Sequence, residues 1–224
     1  MSGLQVRLLR EREGLTQQQA ARRWKVSQPY LSLMERGRRP VPERLARLFV
    51  GTDPNLATAL PFQMPSKAAG DLPKLLGSLG YPAFEYLADR RTLANPAAVV
   101  LASLKSPDVS ARVTEALPWV LVKFSGLDWD WLLAETKLAN VQNRLGYLVC
   151  LARQVAEMSN DARAVGPLEA ARVQLEEARL AKEDTLGRHL TEAEKHHLRQ
   201  HRPDVAEHWN VLTTLRARDL RYVS

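Results

Sequence analysis

Eleven lysines and arginines, from Arg7 to Arg47, stand in the first fifty residues against four acids, Glu11, Glu13, Glu35 and Glu43. That surplus equals the net charge of +7 for all 224 residues, so the remaining basic and acidic side chains cancel. A compact stretch of such density is the electrostatic footprint of phosphate contact, although charge runs also occur as solvated faces. Other candidate chemistry is thinner. His189, His196, His197, His201 and His208 all fall near the end of the chain, and His197 and His201 stand four apart, a spacing that can ligate a metal on a helix. No HExxH pattern accompanies them and their neighbours are polar, so a solvated helix is the expectation and no metal is expected. Cys150 is the single cysteine, which excludes an internal disulfide framework and a multi-cysteine zinc site. It lies in the apolar run Leu148–Ala152 and reads as a small core residue rather than a redox sensor. No nucleophile–base pair, phosphate loop or carboxylate pair stands out, so neither an enzyme nor a cofactor is expected.

The elements that must carry the basic segment are short helices. Val6, Leu8 and Leu9 lie among charges in a helix over 4–12 that Gly14 ends. Thr16 with Gln19 fits a capping box, and the helix it starts runs to about Trp24. Lys25 and Val26 form a tight turn, Ser27 is a second N-cap, and Pro29 sits in the next first turn, where its missing N–H costs little. Gly37 closes that helix, Pro40 and Pro42 break the chain, and further helices are expected near Glu43 and over 55–60. Two short helices joined by about three residues form a helix-turn-helix pattern.

The string GLTQQQAARRWKVSQPYLSLMERGRRPVP resembles the Xre/Cro-type helix-turn-helix family of bacterial and phage regulators across residues 4–49. It departs at Lys25, where glycine is commonest, and a positive φ there costs on the order of 1 kcal/mol. Ala21 permits close helix crossing, while Val26, Leu31 and Met34 supply the apolar underside of the second helix. Ser27, Gln28, Pro29, Ser32, Leu33 and Arg36 are left towards the outside or the ends. In such motifs the start of the second helix enters the major groove. A Gln28 amide can pair with N6 and N7 of adenine, and Pro29 and Leu33 can pack on thymine methyls. The resemblance assigns Gln17 and the Arg36–Arg38–Arg39 run to phosphates. Tyr30 either touches the DNA backbone or packs on the first helix.

Beyond a linker at 61–70, the signal is helical almost throughout, with no sustained strand alternation. Asn95-Pro96 and Ser106-Pro107-Asp108 read as helix starts. Val113, Leu117, Val120 and Phe124 share a face in which Pro118 should kink or shorten the helix. Leu138, Val141, Leu145, Leu148, Ala152 and Val155 step by three and four as a core stripe. The segments 167–180, 191–200 and 204–220 read as further polar helices. Trp129 and Trp131 point in different directions on one helix, so one is expected in the core and one as an interface anchor. Asn140, Gln142, Asn143 and Arg144 form a polar island, read as helix capping or interhelical bonding in preference to a ligand site. The pattern from Pro118-Trp119 to Leu151-Ala152-Arg153 resembles carboxy-terminal regions of helix-turn-helix proteins paired with toxins.

The sequence therefore predicts an all-α chain. A five-helix helix-turn-helix domain over 1–60 is followed by a larger multi-helix domain over 71–224 for dimerisation, partner binding or sensing. The expected function is sequence-specific binding of operator DNA by a homodimeric transcriptional regulator, most simply an autoregulating repressor. The alternative is an antitoxin whose helical domain neutralises a toxin. No run approaches the ~20 apolar residues of a membrane span and the start of the chain is too charged for a signal peptide, so a soluble, cytoplasmic protein is expected.

Overall fold

Thr16 and Ser27 set the amino-terminal helices. Thr16 Oγ1 accepts from the Gln19 backbone N–H at 3.2 Å while Gln19 Oε1 accepts from the Thr16 N–H at 2.8 Å, closing the expected capping box. Ser27 Oγ accepts from the Tyr30 N–H at 3.3 Å. In the computed structural model, which describes residues 3–42, 45, 72–89, 94–187 and 189–220, the resulting elements are α1 (Gly3–Arg12), α2 (Gln17–Arg23) and α3 (Gln28–Glu35). Lys25 takes φ 53° in the α2–α3 turn, as the family resemblance requires. Val6, Leu9, Ala20, Ala21, Trp24, Leu31, Met34 and Leu45 close one small core. Its apolar residues recur at three- and four-residue steps on each helix, which is why three short helices suffice to enclose it. Of the helix expected near Glu43 only Leu45, which is helical, is described; the helix over 55–60 and the linker at 61–70 lie outside the described residues.

The chain divides into two compact units, Met1–Phe62 and Gln63–Ser224. The second is built round a helix with almost no solvent face. Its described elements begin with α4 (Leu72–Ser78), a 3-10 turn (Pro82–Leu87), α5 (Pro96–Lys105), α6 (Ala111–Lys123) and α7 (Trp129–Leu138). The central α8 (Gln142–Met158) and α9 (Ala162–Glu176) follow as a hairpin. On α8, Leu145, Tyr147, Leu148, Val149 and Ala152 are all fully buried, so apolar side chains are covered on more than one face of the helix. The remainder is a strap of short pieces: β1 (Asp184–Thr185), α10 (Glu192–His201), α11 (Asp204–His208), β2 (Val211–Leu212) and a 3-10 turn (Ala217–Asp219). Among the described residues, β1 and β2 make a two-residue parallel pairing in an otherwise all-α chain.

Four local expectations need correction. Ser106 caps the end of α5 rather than starting a helix, because Pro107 disfavours the helical conformation of the residue before it; Ser110 is the cap of α6, accepting from the Val113 N–H. Of the two effects expected of Pro118, early termination does not occur, since α6 runs through it to Lys123. Leu138 does not belong to the α8 stripe. It ends α7 at 78% exposure, because Asn140 turns the chain with φ 55° before α8 starts. Residues 204–220 are not one helix: Asn210, at φ 52°, stops α11 and turns the chain into β2.

The polar island is structural. Asn143 accepts from the Leu180 N–H and donates to the Leu180 carbonyl, both at 2.8 Å, and Gln142 donates to the Ala178 carbonyl at 3.2 Å. Arg144 makes a forked pair with Asp184 at 2.7 and 2.8 Å and reaches the Leu104 carbonyl. These side chains supply partners that the non-helical backbone after α9 and the last turn of α5 lack within themselves. Trp209 completes the docking of the strap. Its ring lies on Gly146 and its Nε1 donates to Cys150 Sγ at 3.2 Å. Cys150 is half-buried, and burial pushes its thiol up, which keeps it neutral at pH 7. A Cβ at position 146 overlaps the Trp209 ring. Gly146→Ala should therefore cost about 1–3 kcal/mol, read as a lower urea midpoint with the Trp209 fluorescence released early.

Candidate nucleic-acid interface

Glu35 is the last residue of α3, one turn beyond the fully buried Leu31 and two beyond Gln28, so its carboxylate is carried inwards. Its side chain is 3% exposed. Arg10 of α1 answers it, with Nε at 2.7 Å from Oε1 and Nη2 at 3.2 Å from Oε2. The same guanidinium donates to the Leu15 carbonyl at 3.0 Å and to Glu11 at 3.3 Å. Burial works against the Arg10 charge, but the hydrogen bond and charge of Glu35 outweigh it and hold the guanidinium more basic than usual.

That pair fixes the direction of a relay of amides. An ionised carboxylate only accepts, so Gln17 presents its NH2 to Glu35, Nε2 donating to Oε2 at 2.8 Å. The Gln17 carbonyl then points away from Glu35 and accepts from Gln28 Nε2 at 2.9 Å. Gln28 is thereby held with one N–H and its carbonyl oxygen still available, the pair of groups that adenine N7 and N6 require. It sits exposed on the first turn of α3.

The other expected residues are placed as follows. Ser27 and Pro29 are exposed, and Leu33 is half-buried on the outer side of α3. Ser32 is 8% exposed, a correction to its expected outward position. It lies on the flank shared by Gln28 (i−4) and Glu35 (i+3), the side from which Gln17 of α2 reaches across. Tyr30 is half-buried and packs on the core of the unit, which favours its packing role. Arg36, Arg38 and Arg39 are exposed beyond the end of α3, where Gly37 turns at φ 68° and the Arg38 N–H returns to the Leu33 carbonyl at 2.8 Å. None of the three has an ion-pair partner among the described residues. A small face therefore carries a fixed amide with cations at its edge, the combination of base-edge and phosphate chemistry that a duplex presents.

Sequence reasoning missed Arg10 and Glu35. The signal was present: Arg10 follows Val6 by four on α1, and Glu35 follows Leu31 by four on α3, so both opposite charges fall on inward faces. The pairing could be read only from which helices meet.

Trp129 and Trp131 are both half-buried, neither core nor exposed, and Trp129 Nε1 donates to the Ser125 carbonyl at 2.9 Å. Tyr86, Leu138 and Met158 are more exposed, at 77%, 78% and 67%. His197 and His201 stack at 4.1 Å between ring centroids, with His201 Nδ1 at 2.8 Å from the His197 carbonyl oxygen. Among the described residues no group of three or more His, Cys, Asp and Glu could hold a metal ion, and no helix is long and apolar enough to cross a membrane.

A family model described as a helix-turn-helix domain matches residues 3–60. No curated protein and no solved structure matches the chain. The amino-terminal unit is a helix-turn-helix domain, and its presence makes DNA the expected partner of this face. Glu35→Gln replaces an obligate acceptor by a group that must also donate. It should cost about 2 kcal/mol, visible as loss of amide hydrogen-exchange protection over residues 3–42 in the full chain.

Proposed function

We propose that the protein is a sequence-specific DNA-binding transcriptional regulator of the Xre/Cro kind, with no catalytic step of its own. The observation that carries this reading is the Gln28 amide, held by Gln17 and Glu35 at the exposed start of α3. Such a helix enters the major groove, Gln28 reads an adenine, Pro29 and Leu33 meet thymine methyls, and Arg36, Arg38 and Arg39 neutralise phosphates. Gln17 contributes by orienting Gln28. Domains this small bury too little surface to bind tightly alone, which supports a homodimer reading two half-sites about one helical turn apart. A repressor that occludes its own promoter is the simplest regulator on this plan, acting in the cytoplasm. The alternative, an antitoxin whose helical unit grips a toxin, draws support from the large apolar side chains that unit exposes, Leu138 and Met158.

The test is binding of the full chain to DNA from upstream of its own gene, against scrambled DNA, at two salt concentrations. Tight, selective binding supports the reading, and equal binding to both duplexes contradicts it. Gln28→Ala should lose roughly 1–3 kcal/mol on the selected site and relax one base position. Arg38→Ala should weaken binding to both duplexes alike and lower the salt slope by about one unit.

A further inference from the structure

The second unit holds a cavity of about 290 Å³ between the first turns of α6 and the strap. The strap side carries five leucines, Leu186, Leu190, Leu198, Leu212 and Leu215, together with Thr213, Thr214 and Asp219. Leu186 and Leu212 are buried, but Leu190, Leu198 and Leu215 remain half-exposed. α10 has no fully buried residue, and Leu198 is the side chain it turns to the cavity. The cavity opens to solvent on one side, and half-covered leucines gathered round such an opening offer an aliphatic surface to an occupant.

The walls are held in place whether or not anything fills them. Gly187, at φ 75°, accepts from the Val109 N–H at 2.8 Å and passes so close to Ser106 that a Cβ would lie 2.9 Å from its carbonyl oxygen. That contact pins Leu186 against the entry to α6. On the other side, Tyr147 donates its hydroxyl hydrogen to the Leu215 carbonyl. The site is therefore preformed, and an occupant meets little ordering cost.

The polar groups decide what fits. Thr114 already bonds the Ser110 carbonyl, and Thr213 accepts from the Leu215 N–H. Asp219 accepts from the Arg216 N–H and lies 3.9 Å from the Arg218 guanidinium. Glu115, half-buried on the α6 wall, has no hydrogen-bond or ion-pair partner among the described residues. An unpaired carboxylate beside half-covered leucines favours one chemistry, a cation on an aliphatic body.

We propose that this cavity binds a small organic ammonium ion of about ten heavy atoms, at roughly 30 Å³ each, with its charged end on Glu115 and its chain among the leucines. The site is independent of the DNA-binding face, so either reading can fail alone.

The test is isothermal titration of the full chain with n-octylammonium, against octanoate and octan-1-ol as probes of the same length. Saturable binding of octylammonium at one site per chain is expected, with octanoate weaker by more than about tenfold. Glu115→Gln should lower octylammonium affinity about tenfold and leave octanol unchanged. Leu198→Trp, which fills the space, should abolish binding of both octylammonium and octanol. Glu115 has no partner to lose, so its variant folds. Octanoate binding as well as octylammonium, an unchanged affinity in Glu115→Gln, or no saturable binding at millimolar octylammonium would each overturn the proposal.

Discussion

The buried carboxylate of Glu35 is the constraint on which the amino-terminal unit turns. A charge that is 3% exposed survives only with partners. Its partners are Arg10 from α1 and Gln17 from α2, so one group ties all three described helices of the unit together. Because a carboxylate has no hydrogen to give, it also imposes a sense on every amide attached to it. The polarity passes from Glu35 through Gln17 to Gln28 at the surface. The outermost member of this network is the exposed amide to which the proposed function gives base recognition.

The second unit solves a different problem. Its central helix, α8, is covered on almost every side, and the non-helical stretches that cover it bring unpaired backbone groups with them. Asn143, Gln142 and Arg144 meet those groups, and Gly146 leaves the space that Trp209 occupies. The strap is thus fixed by α8 rather than by its own short helices, of which α10 buries no residue completely. That economy leaves a cavity where α10 and the strap lean over α6.

The helix ends of the first unit were legible because their determinants are local. Thr16, Ser27, Pro29 and Gly37 each act within one turn of the chain, and each stands where its type demands. The all-α class was legible from helical periodicity. What escaped the sequence was set across distance or by competing local rules. The meeting of Arg10 with Glu35 depends on how α1 and α3 cross. The burial of Ser32 reflects how the helices of the unit pack, which its own sequence neighbours do not announce. The break at Asn140 overrode an apolar stripe that ran unbroken in the sequence from Leu138. The polar residues on α8 were legible as structural hydrogen-bonding groups, but not their partners, which lie about forty residues further along the chain.

The central claim is that the Glu35–Gln17 relay aims Gln28 at a base. Selection of binding sites from a pool of random duplexes, with the wild-type chain and with Gln28→Ala in parallel, tests it most directly. The account predicts that the wild type enriches a paired half-site with a strong adenine at one position in each half. It predicts that Gln28→Ala enriches the same site with that position relaxed. Enrichment of no motif by the wild type, or of an identical motif by both proteins, would contradict it.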